Sequence, residues 1–207
     1  MQIIDLFAVA VLIMSVVVHE VSHGYAASLL GDQTARFAGR LTLNPIKHLD
    51  PIGSVVVPLA LIVLHAGFVF GWAKPVPVNP YNLRHRRWGE LIVAAAGPLS
   101  NIVLAVIFGI LIRVSLIYGF LPDSFITIAT VIVLINLVLA IFNLVPIPPL
   151  DGSKVLFSLL PLHMQHIREF LERYALFLVV IFVFFVWQWF SPLVAWMFSL
   201  LTGLPLS

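Results

Sequence analysis

Long apolar runs separated by short polar punctuation dominate the chain. From about Leu6 to Leu30 the pattern is helical and stops at Gly31-Asp32, and the run is long enough to cross a bilayer. Between Thr34 and Leu43, Arg36, Ala38, Arg40 and Thr42 alternate with Phe37, Gly39, Leu41 and Leu43, a period of two that predicts a short β-hairpin or strand. Turns follow at Asn44-Pro45 and Asp50-Pro51. Residues Ile52 to Phe70 are apolar but interrupted by Gly53, Pro58, His65 and Gly67, so this stretch either spans or dips in and returns. A polar connector with Pro75, Pro77 and Pro80 leads to a second helix, Glu90 to about Tyr118. Its Gly97, Asn101, Ala105 and Gly109, at steps of four, form a packing stripe. A third helix, Phe125 to Leu144, runs into Asn143–Gly152, where Pro146, Pro148 and Pro149 forbid regular helix. Beyond it the pattern predicts a short helix at Ser153–Leu160, an amphipathic segment at His163–Arg173, a span at Tyr174–Phe190 and a marginal segment at Pro192–Leu206.

These elements describe an all-α polytopic membrane protein with a core of three transmembrane helices. A short β-hairpin, a re-entrant segment and one or two C-terminal membrane helices complete it. The whole chain, 1–207, reads as one integral-membrane domain, with a core at about 5–160 and C-terminal membrane segments at 174–206. Composition agrees: 61% of the 207 residues are hydrophobic and 10% charged, where soluble domains carry about a quarter charged. Mean hydropathy is +1.11. Met1 to Ala10 shows no basic leader pattern, so the first helix is expected to be retained. There is no cysteine, which excludes disulfides, thiolate metal sites and cysteine nucleophiles.

Charge placement bears on the topology that the pattern leaves open. If Ile52–Phe70 spans, Arg36, Arg40 and Lys47 oppose Lys74, Arg84, Arg86, Arg87, Lys154, Arg168 and Arg173; if it is re-entrant, all of these share one side and Arg113 stands apart. The positive-inside rule favours the re-entrant arrangement with the N-terminus outside. The helices ending near Leu30 and Leu144 then run parallel. His19 lies roughly 16 Å above the inner end of its helix at 1.5 Å per residue.

The chemistry is concentrated at His19-Glu20-Val21-Ser22-His23. Residues four apart share a helix face, so two imidazoles can meet one cation with Glu20 beside them as a general base. Ionisable groups at this depth are costly and read as functional. The bland alternative is two helix histidines satisfied by neighbours. Asp151, in a proline-constrained apolar segment followed by Gly152, is the best third ligand; its bland alternative is a cap on the helix beginning near Ser153. Two histidines, one carboxylate and an open fourth position describe a catalytic zinc site.

His19-Glu20-x-x-His23 together with Asn143–Gly152 resembles the paired signatures of the site-2 protease family, which are intramembrane zinc metalloproteases. Gly97-Pro98-Leu99-Ser100-Asn101 is similar to that family's central G-P-x-x-N. The segments Leu43–Gly53 and Gly71–Pro80 resemble parts of its compact members, and the likeness covers most of positions 15–155. Many relatives append a PDZ or CBS domain, and this chain has room for neither. The resemblance implies His19, His23 and Asp151 as ligands of one zinc ion with a bound water, and Glu20 as general base and later proton donor. It also makes Asn143 a candidate hydrogen-bond donor to the scissile carbonyl or its oxyanion. Its alternative role is to hold the broken helix end. His48 and Asp50 read as structural.

The expected activity is zinc-dependent hydrolysis of a peptide bond in a locally unwound transmembrane substrate near the cytoplasmic side. The expected partners are a transmembrane protein substrate and the lipid bilayer, without nucleic acid, in a prokaryotic plasma membrane. The predicted strand at Arg36–Leu43 is a candidate to receive the unwound peptide by β-addition. A divalent-cation transporter and a catalytically silent membrane chaperone are the rival readings; against the first, Glu20 is superfluous to simple binding and no half-helix repeat is visible.

Overall fold

A computed structural model of the chain describes residues 3–57, 60, 63, 73–161 and 164–206. Helix α1 (Ile3–Leu29) is followed by the single-turn α2 (Thr34–Phe37) and short helical turns at Pro45–His48, Pro51–Val56 and Pro80–Asn82. Then come α3 (Arg86–Tyr118), α4 (Asp123–Asn143), α5 (Asp151–Leu159) and α6 (Gln165–Arg173). Next, α7 (Ala175–Ile181) continues through further helical turns to Trp189, and α8 (Ser191–Thr202) closes the chain. Among the described residues three helices, α1, α3 and α4, are long and apolar enough to cross a membrane. The bent pair of α6 and the run 175–189, at 71°, makes a fourth if taken as one span. The protein is thus an integral membrane protein whose regular elements, among the described residues, are all helical.

The long helices pack on one another, and their contacts define direction. Val93 of α3 meets His23 of α1, whereas Asn101, eight residues further along α3, meets His19 and Ser15. Rising numbers on α3 therefore match falling numbers on α1, and the two are antiparallel. Asn136 of α4 lies level with Ser15, and Asp151 beyond it lies level with His19 and His23. So α1 and α4 are parallel, which brings the segment after α4 back to the histidines. The packing stripe of α3 is used along its length: Ala105 is fully buried with Ile112, Val133, Leu137 and Phe198, and Gly109 admits Leu201. Helix α8 has 12 residues, about 18 Å at 1.5 Å per residue, and seats Val194 and Phe198 against α3 and α4.

The expected β-hairpin at 34–43 is not formed. Residues 34–37 are helical, Gly39 turns at φ +64°, and no strand occurs among the described residues. The alternation misled because it does not match burial. Phe37 and Leu43, on its apolar side, are exposed at 86% and 56%, while Ala35 and Arg40 are buried. A strand needs a buried face and a paired edge, and this segment has neither; β-addition to it falls with the strand. Most of the expected re-entrant segment at 52–70 lies outside the described residues.

What organises this region is Asp32, buried at the end of α1. Its carboxylate accepts hydrogen bonds from Thr34 N–H (3.1 Å), Thr34 Oγ1 (2.5 Å), Asn79 N–H (2.7 Å) and Asn82 Nδ2 (3.0 Å). Burial pushes the carboxyl pKa up, but the bonds from Thr34, Asn79 and Asn82 outweigh it and hold Asp32 below the ordinary 3.8. A depressed folded pKa adds stability that is present above the unfolded value and lost as pH falls through the folded one. The solubilised protein should therefore melt at a higher temperature than Asp32→Asn near neutral pH, with the gap closing as the pH drops below 3.8. Thermal scans across pH measure this, and a gap that ignores pH contradicts it.

Candidate metal centre

One turn of α1 separates His19 and His23, which are 6% and 7% exposed. Their Nε2 atoms lie 3.1 Å apart. Asp151, the first residue of α5, turns its carboxylate inward, and Oδ2 is 3.0 Å from His19 Nε2 and 3.1 Å from His23 Nε2. It makes no cap for its helix. The turn that delivers it is compact: a Cβ on Gly152 would collide with the carbonyl oxygens of Leu144 and Val145.

The outer ring nitrogens fix the tautomers. His23 Nδ1 is 2.6 Å from the Val93 carbonyl, which can only accept, so Nδ1 carries the proton. His19 Nδ1 is 2.7 Å from Asn101 Oδ1. The Asn101 amide nitrogen donates to Asn136 Oδ1 (2.8 Å) and to the Ser15 carbonyl (3.3 Å), and Asn136 Nδ2 donates to Ser15 Oγ (2.9 Å) and the Ile132 carbonyl (2.9 Å). This network leaves Asn101 Oδ1 as the acceptor and His19 Nδ1 as the donor. With both rings neutral, as metal ligation requires, each Nε2 presents a lone pair, and these two atoms and Asp151 Oδ2 form three acceptors that all lie within 4.8 Å of one another.

Such a cluster repels itself unless a cation stands within it. Tetrahedral ligands around zinc, at bonds of about 2.0–2.1 Å, stand about 3.3 Å apart. The observed edges of 3.0, 3.1 and 3.1 Å fit an ion of that size. Close packing enforces the arrangement. A Cβ on Gly97 of α3 would fall 2.6 Å from His19 Nε2 and closer still to His23 Nε2.

The centre lies in a cavity of about 430 Å³, lined among others by Glu20, Asn143, Lys154 and Arg168. Glu20 Oε2 accepts the Val76 N–H at 2.8 Å. Lys154 Nζ is 3.3 Å from Asp151 Oδ1, the oxygen turned away from the histidines. Asn143 Nδ2 donates to the Leu139 carbonyl at 2.9 Å while its side chain lines the cavity. His48 Nε2 donates to the Thr42 carbonyl (2.9 Å), and Asp50 accepts from Ile52 and Gly53 N–H, which gives both structural work. The structure thus brings His19, Glu20, His23, Asn143 and Asp151 to one cavity. Sequence reasoning missed Asn136, in the middle of the most apolar helix, and Val76, whose contribution is a backbone N–H. An intramembrane asparagine was the available signal for the first; for the second the signal was its place between Pro75 and Pro77, as the one N–H of that triplet.

Comparison with known proteins agrees with this geometry. The profile of Peptidase family M50 matches residues 7–124 and 116–186. YwhC of Bacillus subtilis, named as a zinc metalloprotease, is 42% identical over 160 residues, covering 75% of this chain and 69% of that protein. Rip2 of Mycolicibacterium smegmatis, named likewise, is 29% identical across 90% of this chain and 71% of its own. A shorter match, 46% over 65 residues and 31% of each chain, is to MJ0611 of Methanocaldococcus jannaschii, also named as a zinc metalloprotease. No solved structure matches the chain. With the family profile covering most of its length, the chain belongs to Peptidase family M50, the site-2 protease family of zinc metalloproteases.

Proposed function

We propose that this zinc metalloprotease cleaves a peptide bond inside a membrane-embedded substrate, using one zinc ion held by His19, His23 and Asp151 with Glu20 as general base. The observation that carries the reading is the convergence of three acceptor atoms beside a carboxylate, on a helix long and apolar enough to cross a membrane. When bound, zinc lowers the pKa of a water towards 7 and polarises the scissile carbonyl. Glu20 Oε2 is engaged by Val76, so Oε1 takes the proton of the attacking water and returns it to the leaving amine. An amide nitrogen carries two hydrogens. Asn143 bonds Leu139 with one and offers the other to the substrate carbonyl.

A substrate helix has its carbonyls bonded internally, so it enters this cavity only after local unwinding. Lys154 and Arg168 on the cavity wall belong to the side that carries ten of the eleven basic residues in the re-entrant arrangement. That supports an N-terminus outside and a cavity opening towards the cytoplasm. Residues 5–160 form the catalytic unit, with 174–206 as an added membrane segment.

Purified wild type and Glu20→Gln, each assayed for zinc and for cleavage of a membrane-embedded model substrate, test the reading. Both should hold one zinc per chain, and Glu20→Gln should lose roughly 10²- to 10⁴-fold in turnover. Equal turnover, or zinc absent from both, turns the assignment towards a transporter or chaperone. Asn101→Ala releases His19 Nδ1 and should weaken zinc affinity by about 10- to 100-fold in competition with a chelator. An unchanged affinity would show that the Asn101 bond does not orient the ligand.

A further inference from the structure

Resting on Glu20 as the base, we propose that Asp32 and Arg40 are positioning residues that hold Glu20 in its working orientation through the extended strap of residues 73–79. The strap touches Glu20 at one point, the Val76 N–H to Oε2 bond of 2.8 Å. Val76 stands between Pro75 and Pro77, which have no N–H, so it is the sole donor of that triplet. Each proline also drives the residue before it into extended backbone. A shift of the strap by one residue would set a proline against Glu20 and break the contact. The position of the strap along its own axis is therefore the quantity that has to be held.

Two buried charges hold it, one at each end. Arg40, 7% exposed, gives Nη2 to the Lys74 carbonyl (2.6 Å) and the Pro75 carbonyl (3.3 Å). Asp32, fully buried, accepts the Asn79 N–H at 2.7 Å, three residues beyond Val76. The Lys74 N–H adds a bond to the His48 carbonyl (2.9 Å). Among the described residues neither Asp32 nor Arg40 forms an ion pair, and Arg40 Nε has no partner there. Removing a charge from water without a counter-charge is costly. Here Arg40 and one oxygen of Asp32 are directed to the backbone of one seven-residue segment, whose middle donates to the residue next to His19, while the other oxygen of Asp32 is held by Thr34 and Asn82. Asp32 and Arg40 do not themselves line the cavity, whose wall includes Pro75 and Val76 of the strap, so their effect on the reaction is transmitted by the strap.

The experiment uses the full zinc-loaded chain in detergent micelles, with Asp32→Asn, Arg40→Met, Arg40→Lys and Val76→Pro. Turnover is resolved into kcat and KM, zinc per chain is measured, and amide exchange is followed over 73–79. For Asp32→Asn, Arg40→Met and Val76→Pro, kcat should fall roughly 10- to 100-fold, as expected for a misplaced base. Zinc per chain should stay at the wild-type value because the ligands do not change, and KM should rise by less than kcat falls, since Pro75 and Val76 of the strap also line the cavity. Arg40→Lys should recover most of the loss. In a Glu20→Asp background, whose shorter side chain has already left Val76, the same substitutions should cost nothing further. Exchange at Val76 should rise in Glu20→Ala, Asp32→Asn and Arg40→Met. Wild-type kcat in Arg40→Met and Val76→Pro, or a loss proportional to zinc lost, overturns the proposal. Should Asp32→Asn not fold, those two variants decide alone. If wild type itself cleaves nothing, the functional reading fails, and exchange at Val76 still judges the strap: protection indifferent to Glu20, Asp32 and Arg40 overturns it.

Discussion

Two imidazole nitrogens and a carboxylate oxygen, each about 3 Å from the others, are gathered in the membrane helices' interior, and the helical core is arranged around that fact. The restraint comes from behind each ligand. Val93 and Asn101 take the outer protons of the rings, Asn136 and Ser15 complete the hydrogen bonding of Asn101, and Lys154 faces the second oxygen of Asp151. Asn101 and Asn136 are both fully buried, where an amide lacking partners would cost several kcal/mol. Their presence is tolerable because the chain from Ser15 to His19 satisfies them, and the same bonds leave each histidine a single tautomer. In this way the polar interior chooses which nitrogen faces the proposed metal site.

The second requirement is space. Asp151 reaches the histidines because α4 runs parallel to α1 and the turn after it folds back on itself, closely enough that Gly152 touches the carbonyls of Leu144 and Val145. At the other end of the bundle the core changes character. Ala105, Ile112, Val133, Leu137 and Phe198 form an entirely apolar cluster, closed by α8. The molecule thus has one dry end that fixes helix positions and one polar end where they converge on a water-accessible cavity.

Much of this was legible beforehand, for identifiable reasons. The histidine pair was readable because a spacing of four is a statement about one helix face, and Asp151 because a carboxylate in apolar sequence demands a partner. The stripe of Gly97, Asn101, Ala105 and Gly109 was readable as packing, although its first two members turned out to pack on the ligands themselves. Period two at 34–43 failed because alternation signals a strand only when one set of positions is buried, and here exposed Phe37 and buried Arg40 invert the rule. The segment Lys74–Asn79 read as a connector because it acts through backbone groups, the N–H of Lys74, Val76 and Asn79 and the carbonyls of Lys74 and Pro75, which no periodicity of side chains reveals. Asn136 was passed over since a single polar residue creates no period.

Gly97 carries a consequence of a different kind. With no side chain there, the gap between the axes of α1 and α3 is filled by the imidazoles themselves. The spacing of the two helices and the placement of the His19 and His23 rings are then one mechanical variable. Whatever alters lateral pressure on the bundle acts on those two rings directly, without passing through a hinge or a loop.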